Sequence, residues 1–356
     1  MWFSMTDTRH ETTDDTVVVT GAAGFIASHL VRQLLEAGYV VRGTVRNLAR
    51  REGYAHLLAL PGADARLELV EADLTTAGAF DAVVDGAAFV MHTASPYALS
   101  VADPQRDLVD PAVKGTLNVL EACARASSVR RVVLTSSMAA ITDEPGGDHV
   151  LTEADWNDKS SLSRNPYYFS KAEAEREAWA FMRSVDRGFD LVVVNPFLVI
   201  GPAIGPASNE STQVFVDLQQ GGYPGILDLT WGFVDVRDVA DAHVRAMITP
   251  AASGRYICAG DVLSMRQVVA VLRECLPNSG KLPSRGLDNS LGTRVVKLAS
   301  YTQPSGAGTY LRTHLGRVPR YDASKIQREL GVTFRPATDS IRDTVDDLVA
   351  RGRMAD

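Results

Sequence analysis

The sequence is poor in cysteine and lacks any apolar run long enough to cross a membrane. Its three cysteines, Cys123, Cys258 and Cys275, are odd in number, widely spaced and set in apolar surroundings. This pattern argues against a disulfide framework and favours core thiols in a reducing cytoplasm. No metal-ligand spacing occurs, so no metal is expected. No stretch approaches the roughly 18 apolar residues of a membrane helix, and residues 1–15 form a polar leader that we expect to be disordered.

An excess of positive charge is also missing. The chain carries 36 basic and 43 acidic residues, a net charge of −7, which disfavours a nucleic-acid or anionic-membrane surface. With 46% hydrophobic and 22% charged residues, the composition is ordinary for a globular protein. A chain of 356 residues can bury a large core as one domain or two lobes. We expect a small-molecule partner and a monomer or homodimer.

A glycine-rich stretch near the start predicts a nucleotide site. Residues 17–19 are three valines, Gly21 and Gly24 follow, and an apolar-periodic segment runs on from Phe25. This order indicates a strand, a tight turn and a helix. Gly21 allows the sharp turn, and Gly24 lets a ligand approach the main chain. The helix N-terminus then favours a pyrophosphate. The alternative is a glycine-rich turn that binds nothing.

Strand and helix patterns alternate along the first 195 residues, with strands expected at 39–45, 67–71, 89–93, 132–135 and 191–194. Such alternation predicts an α/β fold with a doubly wound parallel (Rossmann) sheet. Ligands of such a sheet bind outside the carboxyl ends of the strands. The candidate residues of this region follow strands: Arg46, Asp73, Leu74, Thr93, Ala94 and Ser95.

Arg46 stands at the end of the second predicted strand, 22 residues after Gly24. An acid at this position selects the free 2′-hydroxyl of NAD, whereas an arginine accommodates the 2′-phosphate of NADP. A guanidinium matches a phosphate well, so we predict NADP, the alternative being a solvated surface arginine. Asp73 is placed to accept a hydrogen bond from the adenine amine. The small residues Ala94 and Ser95 allow the backbone to lie against a ribose.

A tyrosine and a lysine share one predicted helix face. Tyr167 and Lys171 are four residues apart, just after Asn165-Pro166, and Ser137 ends the fifth strand upstream. A nearby ammonium lowers the pKa of a phenol. A serine hydroxyl can hold a carbonyl oxygen while the tyrosine exchanges its proton. The same spacing recurs at Tyr321 and Lys325, which we interpret as the start of a surface helix capped by Asp322, so the chemistry is assigned to the first pair.

Several motifs together resemble the extended short-chain dehydrogenase/reductases: Thr20-Gly21-x-x-Gly24-Phe25-Ile26, Asp73-Leu74, Thr135-Ser136-Ser137 and Tyr167-x-x-Ser170-Lys171. Further stretches narrow the resemblance: Val45-Arg46, Asp155-Trp156, Asn195-Pro196-Phe197, Phe233-Val234-Asp235 and Gly254-Arg255-Tyr256. They look like the dihydroflavonol-4-reductase-like branch, with cinnamoyl-CoA reductases and microbial aldehyde/ketone reductases. The resemblance covers about residues 16–276 and resumes at 318–352.

The resemblance implies a role for each matching residue. Ser137, rather than Ser136, would form the catalytic set with Tyr167 and Lys171, and Lys171 would also hold the nicotinamide ribose. Pro196 would pack against the nicotinamide. The full set of cofactor-binding residues that we expect is Gly21, Ala23, Gly24, Phe25, Ile26, Arg46, Asp73, Leu74, Thr93, Ala94, Ser95, Tyr167, Lys171, Pro196 and Val199.

A smaller, interleaved lobe is expected to bind the substrate. We assign residues 16–195 and about 231–250 to the NADP-binding domain, 196–230 and 255–320 to the substrate lobe, and 321–356 to C-terminal helices. Candidate substrate contacts are Tyr97, Met138, Thr142, Trp231 and Phe233, with plain core packing equally open for the aromatic residues. Thr142 replaces an asparagine of plant dihydroflavonol reductases, which argues against flavonoid specificity.

Two further segments are expected to shape the pocket. Residues 277–317 are longer than the plant pattern, with a helix expected at 294–301, and should cover the pocket. Residues 201–211, rich in Gly, Pro and Ser, are expected to form a mobile loop at the mouth of the cleft.

Three functions fit these features. The first is an NADPH-dependent carbonyl reductase that converts an aldehyde or ketone to an alcohol. The second is a nucleotide-sugar epimerase or dehydratase that uses bound NAD, which Arg46 disfavours. The third is a non-catalytic NADPH-sensing regulator, which has no need of the complete set of Ser137, Tyr167 and Lys171.

Overall fold

The computed structural model describes residues 14–95, 101–144, 146–186, 188–206, 209–303 and 305–355. Most of the expected leader and the substrate candidate Tyr97 lie outside these residues. The strands are β1 (Thr16–Val19), β2 (Val40–Val45), β3 (Leu67–Glu71), β4 (Phe89–His92), β5 (Arg131–Thr135), β6 (Asp190–Pro196), β7 (Leu198–Ile200), β8 (Ile226–Leu227), β9 (Thr230–Asp235), β10 (Gly254–Cys258), β11 (Val262–Ser264) and β12 (Gly286–Leu287).

The helices surround these strands. They are α1 (Phe25–Glu36), α2 (Ala55–Leu58), α3 (Ala63–Arg66), α4 (Asp81–Val84), α5 (Asp110–Arg125), α6 (Pro166–Ser184), α7 (Glu210–Gln219), α8 (Val236–Ile248), α9 (Met265–Cys275), α10 (Ser290–Ala299), α11 (Ser305–His314), α12 (Ser324–Leu330) and α13 (Ala337–Ala350). Within the described ranges, no helix combines the length and the apolar character that crossing a membrane requires.

Seven parallel strands form the central sheet in the order β10-β6-β5-β4-β1-β2-β3. The inner strands are apolar on both faces because helices cover both sides, α1 and α8 on one face and α5 and α6 on the other. The strand order reverses between β1 and β4, where a dinucleotide crevice is expected. The predicted doubly wound parallel sheet is therefore confirmed.

The smaller lobe packs on the carboxyl side of this sheet. It contains the three-stranded sheet β11-β9-β7 and the pair β12-β8. Its own core joins α7, α9 and α13 through residues that include Phe215, Leu272 and Ile341. The C-terminal residues 321–355 contribute to both parts of the structure. Helix α12 packs against β10 and α8 of the large domain, whereas α13 packs against α9 of the smaller lobe.

Two expected domain boundaries differ from the structure. Gly254–Cys258 is the seventh strand of the large sheet, paired with β6, so the substrate lobe resumes after Cys258 rather than at residue 255. Thr230–Asp235 pairs within the small sheet, and only the following helix α8 returns to pack on α1. Strand length and apolar pattern do not reveal which sheet a strand joins, because its partners are distant in sequence.

Candidate active site

A cleft of about 1680 Å³ runs along the carboxyl ends of the parallel strands and beneath the smaller lobe. Nearly all predicted site residues that the structure describes line it: Gly21, Ala23, Gly24, Phe25, Ile26, Arg46, Asp73, Leu74, Thr93, Ala94, Ser95, Ser137, Met138, Thr142, Tyr167, Lys171, Pro196, Val199 and Trp231. Within the described ranges, no group of His, Cys, Asp and Glu side chains could hold a metal.

The glycine turn between β1 and α1 has the geometry of an anion cradle. Gly21 has a φ of +64°, and a Cβ atom there would lie 3.0 Å from the Cβ of Ala94. The Gly21 carbonyl accepts from the Gly24 amide at 2.8 Å, which closes the turn directly before α1 begins. The first turn of α1 contains no acidic side chain, so its exposed N–H groups and positive dipole end suit a pyrophosphate.

The other end of the cofactor crevice is basic. Arg46 follows β2 and is exposed, and Arg50 lines the same part of the cleft. Asp73 follows β3, and its Oδ1 accepts from Thr75 Oγ1 at 2.6 Å and from the Thr75 amide at 2.8 Å. These hydrogen bonds, with the charge of Arg46, hold the pKa of Asp73 below its usual value. At the end of β2 the chain places Arg46 and no acid, so this position suits a 2′-phosphate better than a free 2′-hydroxyl.

Helix α6 carries the tyrosine and lysine into the middle of the cleft. Asn165 precedes it with a φ of +50°, and Pro166 occupies its first turn. Lys171 Nζ lies 5.9 Å from the centroid of the Tyr167 ring and donates to Ser95 Oγ at 2.8 Å. Burial lowers the pKa of Lys171 to about 8. The two side chains therefore share one helix face, as the spacing predicts.

The two serines after β5 point to different partners. Ser136 Oγ donates to Glu175 Oε2 at 2.6 Å in the protein interior. Ser137 Oγ accepts from the Ala139 amide at 3.1 Å, which leaves its own O–H available as a donor. The structure thus ties Ser136 to the core and leaves Ser137 with hydrogen-bonding capacity in the cleft.

The end of the cleft beneath the smaller lobe, where substrate contacts were expected, is aromatic. Trp231 Nε1 donates to the Tyr310 hydroxyl at 2.9 Å, and the Tyr310 ring stacks on His314 with centroids 4.0 Å apart. Phe233 was expected here, but it has no exposed surface and packs against Phe215 in the lobe core. Core packing, the alternative left open for this residue, is therefore what the structure shows. Trp231 and Phe233 are two positions apart and share one face of β9, so the strand pattern does not show which of them borders the cleft.

Segment 277–317 lines the cleft through α11. Four of its residues follow the spacing i, i+3, i+4, i+7 and therefore share one face: Ala307, Tyr310, Leu311 and His314. This spacing is visible in the sequence and could have identified Tyr310 and His314, which sequence reasoning missed. It also missed Tyr168, whose ring contacts those of Tyr167 and His314 at centroid distances of 6.0 and 6.1 Å. The expected helix at 294–301 is α10, which begins at Ser290.

The second tyrosine–lysine pair lies at the start of a helix, as expected: α12 begins at Ser324, and Asp322 Oδ1 accepts a hydrogen bond from the Ser324 amide at 2.8 Å. The tyrosine, however, is not a surface side chain. Tyr321 is largely buried, and its hydroxyl donates to the Gly260 carbonyl at 2.8 Å while its ring packs on Phe197. Burial raises the pKa of this phenol above its usual range. Lys325 Nζ donates to the carbonyls of Ser253 and Arg255 at 2.9 Å. Sequence reasoning missed this role because the partners are more than 60 residues away.

The crevice at the strand reversal and the glycine turn define a dinucleotide-binding protein of the Rossmann type. The chain belongs to the NAD dependent epimerase/dehydratase family, whose model matches residues 17–259. It is 40% identical over 343 residues to cinnamoyl-CoA reductase CAD2 of Medicago truncatula, covering 93% of this chain and 95% of that protein. It is 39% identical to tetraketide alpha-pyrone reductase 2 of Arabidopsis thaliana, covering 77% of this chain and 87% of that one.

Solved structures agree with this assignment. Yeast methylglyoxal/isovaleraldehyde reductase Gre2 complexed with NADPH superposes with a TM-score of 0.79 at 31% identity, covering 95% of this chain and all of that one. Gre2 of Candida albicans in complex with NADPH gives the same TM-score at 32% identity, covering 94% of this chain and 99% of that one. The resemblance to the dihydroflavonol-4-reductase-like extended reductases is confirmed, and the protein is an NADP-dependent reductase of that group.

Proposed function

We propose that the protein reduces an aldehyde or ketone to an alcohol with NADPH, and that Ser137, Tyr167 and Lys171 carry the chemistry. The observation that supports this most directly is their meeting in one cleft with the glycine turn and Arg46. The relatives also favour a carbonyl substrate, since their names refer to methylglyoxal, isovaleraldehyde and cinnamoyl-CoA.

The residues present fit an NADP molecule laid along the crevice. Gly21, Gly24 and the start of α1 would hold the pyrophosphate, and Arg46 the 2′-phosphate. Pro196, at the end of β6, would form one side of the nicotinamide pocket. When bound there, NADPH supplies the hydride for the carbonyl carbon.

Tyr167 would give its phenolic proton to the carbonyl oxygen as negative charge develops on it. Ser137 would donate a second hydrogen bond to the same oxygen, because its Oγ already accepts from a backbone amide and its hydrogen remains available. Lys171 would favour the phenolate of Tyr167 through its charge, so that the proton leaves more easily near neutral pH. Such positioned donors stabilise the transition state more than the ground state.

A fixed scaffold would keep these groups in place. Asn195 Nδ2 donates to the Ser137 carbonyl at 3.1 Å and to Glu175 Oε2 at 2.8 Å. Glu175 lies one turn beyond Lys171 on α6, so one buried amide links the serine loop to the helix that carries Tyr167. Preorganised donors need no rearrangement during the reaction, which lowers its barrier.

The duplicated tyrosine–lysine spacing supplies a matched test. NADPH oxidation should first be screened over aldehydes, ketones, hydroxyketones and dihydroflavonols. With a substrate found, Tyr167→Phe should lower turnover by at least the ~10²–10⁴ typical of general acid–base catalysis, while folding and NADPH binding survive. Tyr321→Phe should leave turnover nearly unchanged, since its hydroxyl bonds a backbone carbonyl outside the cleft.

Two outcomes would overturn the proposal. Near-normal turnover of folded Tyr167→Phe would contradict the assigned proton donor. Tightly bound, non-exchanging NAD in the purified protein, with no NADPH oxidation by any carbonyl compound, would favour the epimerase or dehydratase instead. The three cysteines are unpaired in the structure, and as part of the same proposal we place the protein in the cytoplasm.

A further inference from the structure

His314 is a buried imidazole in the cleft wall that the proposed chemistry does not use. It is the last residue of α11, and only 6% of its surface is exposed. It belongs to segment 277–317, and it lines the cleft together with Tyr310 and Tyr168. Any role for it therefore concerns the part of the substrate that lies under the smaller lobe.

The hydrogen bonds of the ring define its tautomer. Nδ1 lies 3.1 Å from the Tyr310 carbonyl oxygen and 2.9 Å from Thr313 Oγ1. A carbonyl oxygen can only accept, so Nδ1 carries the proton. Burial lowers the pKa of His314 to about 4, which keeps the ring neutral near pH 7. Nε2 therefore presents a lone pair and acts as an acceptor.

Neighbouring rings hold this acceptor in one orientation. Tyr310 stacks on the imidazole at 4.0 Å with an angle of 19° between the planes, and Tyr168 meets it edge-on at 6.1 Å. In the described part of the chain, Nδ1 makes all the hydrogen bonds of the ring. Nε2 makes none with those residues, and it is not fully buried. Nε2 is thus accessible from the cleft.

The acceptor is close to the proposed proton donor. Tyr168 is in ring contact with both Tyr167 and His314, at 6.0 and 6.1 Å. His314 therefore lies one aromatic ring beyond Tyr167 along the cleft wall. Met138, Leu311 and Trp231 also line the cleft, and Nε2 is a fixed polar acceptor in a lining that includes these apolar and aromatic side chains.

We propose that His314 is a specificity-determining residue that accepts a hydrogen bond from a hydroxyl or N–H group carried by the carbonyl substrate away from its reacting carbon. This inference rests on the proposed reductase function. A substrate with such a donor pairs with Nε2, whereas one without it removes water from Nε2 and leaves that acceptor unpaired. Unpaired buried acceptors are costly, so the site discriminates in favour of the donor.

The test compares substrates that differ only in the donor. Hydroxybenzaldehydes and their methoxy counterparts have similar electronic effects on the carbonyl, but only the first can donate. At about pH 6 the phenols remain protonated, and His314 is neutral. We expect the hydroxyl-to-methoxy ratio of kcat/KM to fall about 3- to 10-fold in His314→Phe, which keeps a ring against Tyr310 and removes both nitrogens.

Two further variants separate hydrogen bonding from packing. His314→Gln places an amide oxygen near the position of Nε2 and should keep most of the preference. Tyr310→Phe removes the hydroxyl bound to Trp231 but leaves the imidazole, so kcat/KM should change for both substrates alike and their ratio should persist. NADPH affinity and circular dichroism confirm that each variant is folded.

The outcomes distinguish this inference from the function on which it rests. An unchanged ratio in folded, active His314→Phe would overturn it. So would a wild-type enzyme that shows no preference for the hydroxyl compound at any ring position, a result that needs no variant. Absence of NADPH oxidation with every aldehyde would instead contradict the reductase function itself, and the inference with it.

Discussion

Glu175 and Arg255 form a buried ion pair, with 2.5 Å between Oε1 and Nε, that joins the helix of the proposed catalytic residues to the edge strand β10. Neither side chain is more than 6% exposed. The same carboxylate accepts from Ser136 and Asn195 beneath the cleft. The guanidinium of Arg255 lies 3.9 Å from the centre of the Trp156 ring.

We predict that this pair is a sensitive point of the fold. Glu175→Gln keeps the shape of the side chain but leaves the Arg255 charge buried and unpaired, which should lower the free energy of unfolding by about 3–5 kcal/mol. Urea unfolding measures this loss. Asp288→Asn is the matched control, because its partner Arg266 is 57% exposed, and it should cost less than about 1 kcal/mol. Equal losses in the two variants would contradict the prediction.

The cofactor half of the site could be predicted from sequence because its information is local. Each strand of the parallel sheet ends at the same edge, so a residue such as Arg46 or Ser137 is placed once its own strand is recognised. The glycine turn is likewise specified by adjacent residues. The strands are far apart in sequence, but a doubly wound parallel sheet brings their carboxyl ends together, so recognising the fold class is enough to predict that these residues are neighbours.

The substrate half could not be predicted in the same way. Phe233 was a candidate for the cleft, with core packing equally open, and it is buried against Phe215. Tyr321 was placed on the surface although it bonds Gly260, 61 positions away. Nothing in the sequence distinguishes Glu175 from an ordinary polar residue of a helix. Each of these roles is decided by a contact between distant segments.

Cofactor preference can be tested with two neighbouring arginines. Arg46 lines the cleft, whereas Arg51 is exposed and is not among the described residues that line it. Arg46→Ala should weaken NADPH binding by about 10- to 150-fold, the loss expected for a charge-assisted hydrogen bond, and should affect NADH far less.

Arg51→Ala carries the same change in net charge and should leave both affinities nearly unaltered. Fluorescence titration of the wild type and both variants with each of the two nucleotides gives the dissociation constants needed. If wild-type protein binds NADH as tightly as NADPH, or if both variants weaken NADPH equally, Arg46 does not contact the 2′-phosphate.

The two helices of segment 277–317 should respond differently to ligand. Helix α11 lines the cleft, whereas α10 carries outward-facing apolar side chains, with Leu291 and Leu298 more than 70% exposed. Hydrogen exchange of the NADP complex should slow in α11 when a substrate analogue is added, because the ligand packs against its inner face. Exchange in α10 should stay unchanged and serves as the internal control. Protection confined to α10 would contradict the placement of α11 over the substrate.

The buried charge of Lys171 should lower the free energy of unfolding, although we expect turnover to need the side chain. Burial lowers its pKa to about 8 in the folded protein, against about 10.4 in an unfolded chain. Below about pH 8 both states carry the proton, so the folded state bears the full cost of a buried charge. As pH rises from about 8 to 10.4, the folded state loses that proton first and the cost disappears. Lys171→Met should therefore raise the free energy of unfolding of the cofactor-free protein near pH 7, by up to about 3 kcal/mol, while turnover and NADPH affinity fall.

The gain should shrink as the pH approaches 10, and urea unfolding at about pH 7 and pH 10 measures it. Lys325→Met is the matched control from the second tyrosine–lysine pair. It removes hydrogen bonds to the carbonyls of Ser253 and Arg255, so it should lower the free energy of unfolding at pH 7 and spare turnover. A Lys171→Met protein that is destabilised equally at both pH values would show that Lys171 is a structural anchor and not a buried charge held in place for its effect on Tyr167.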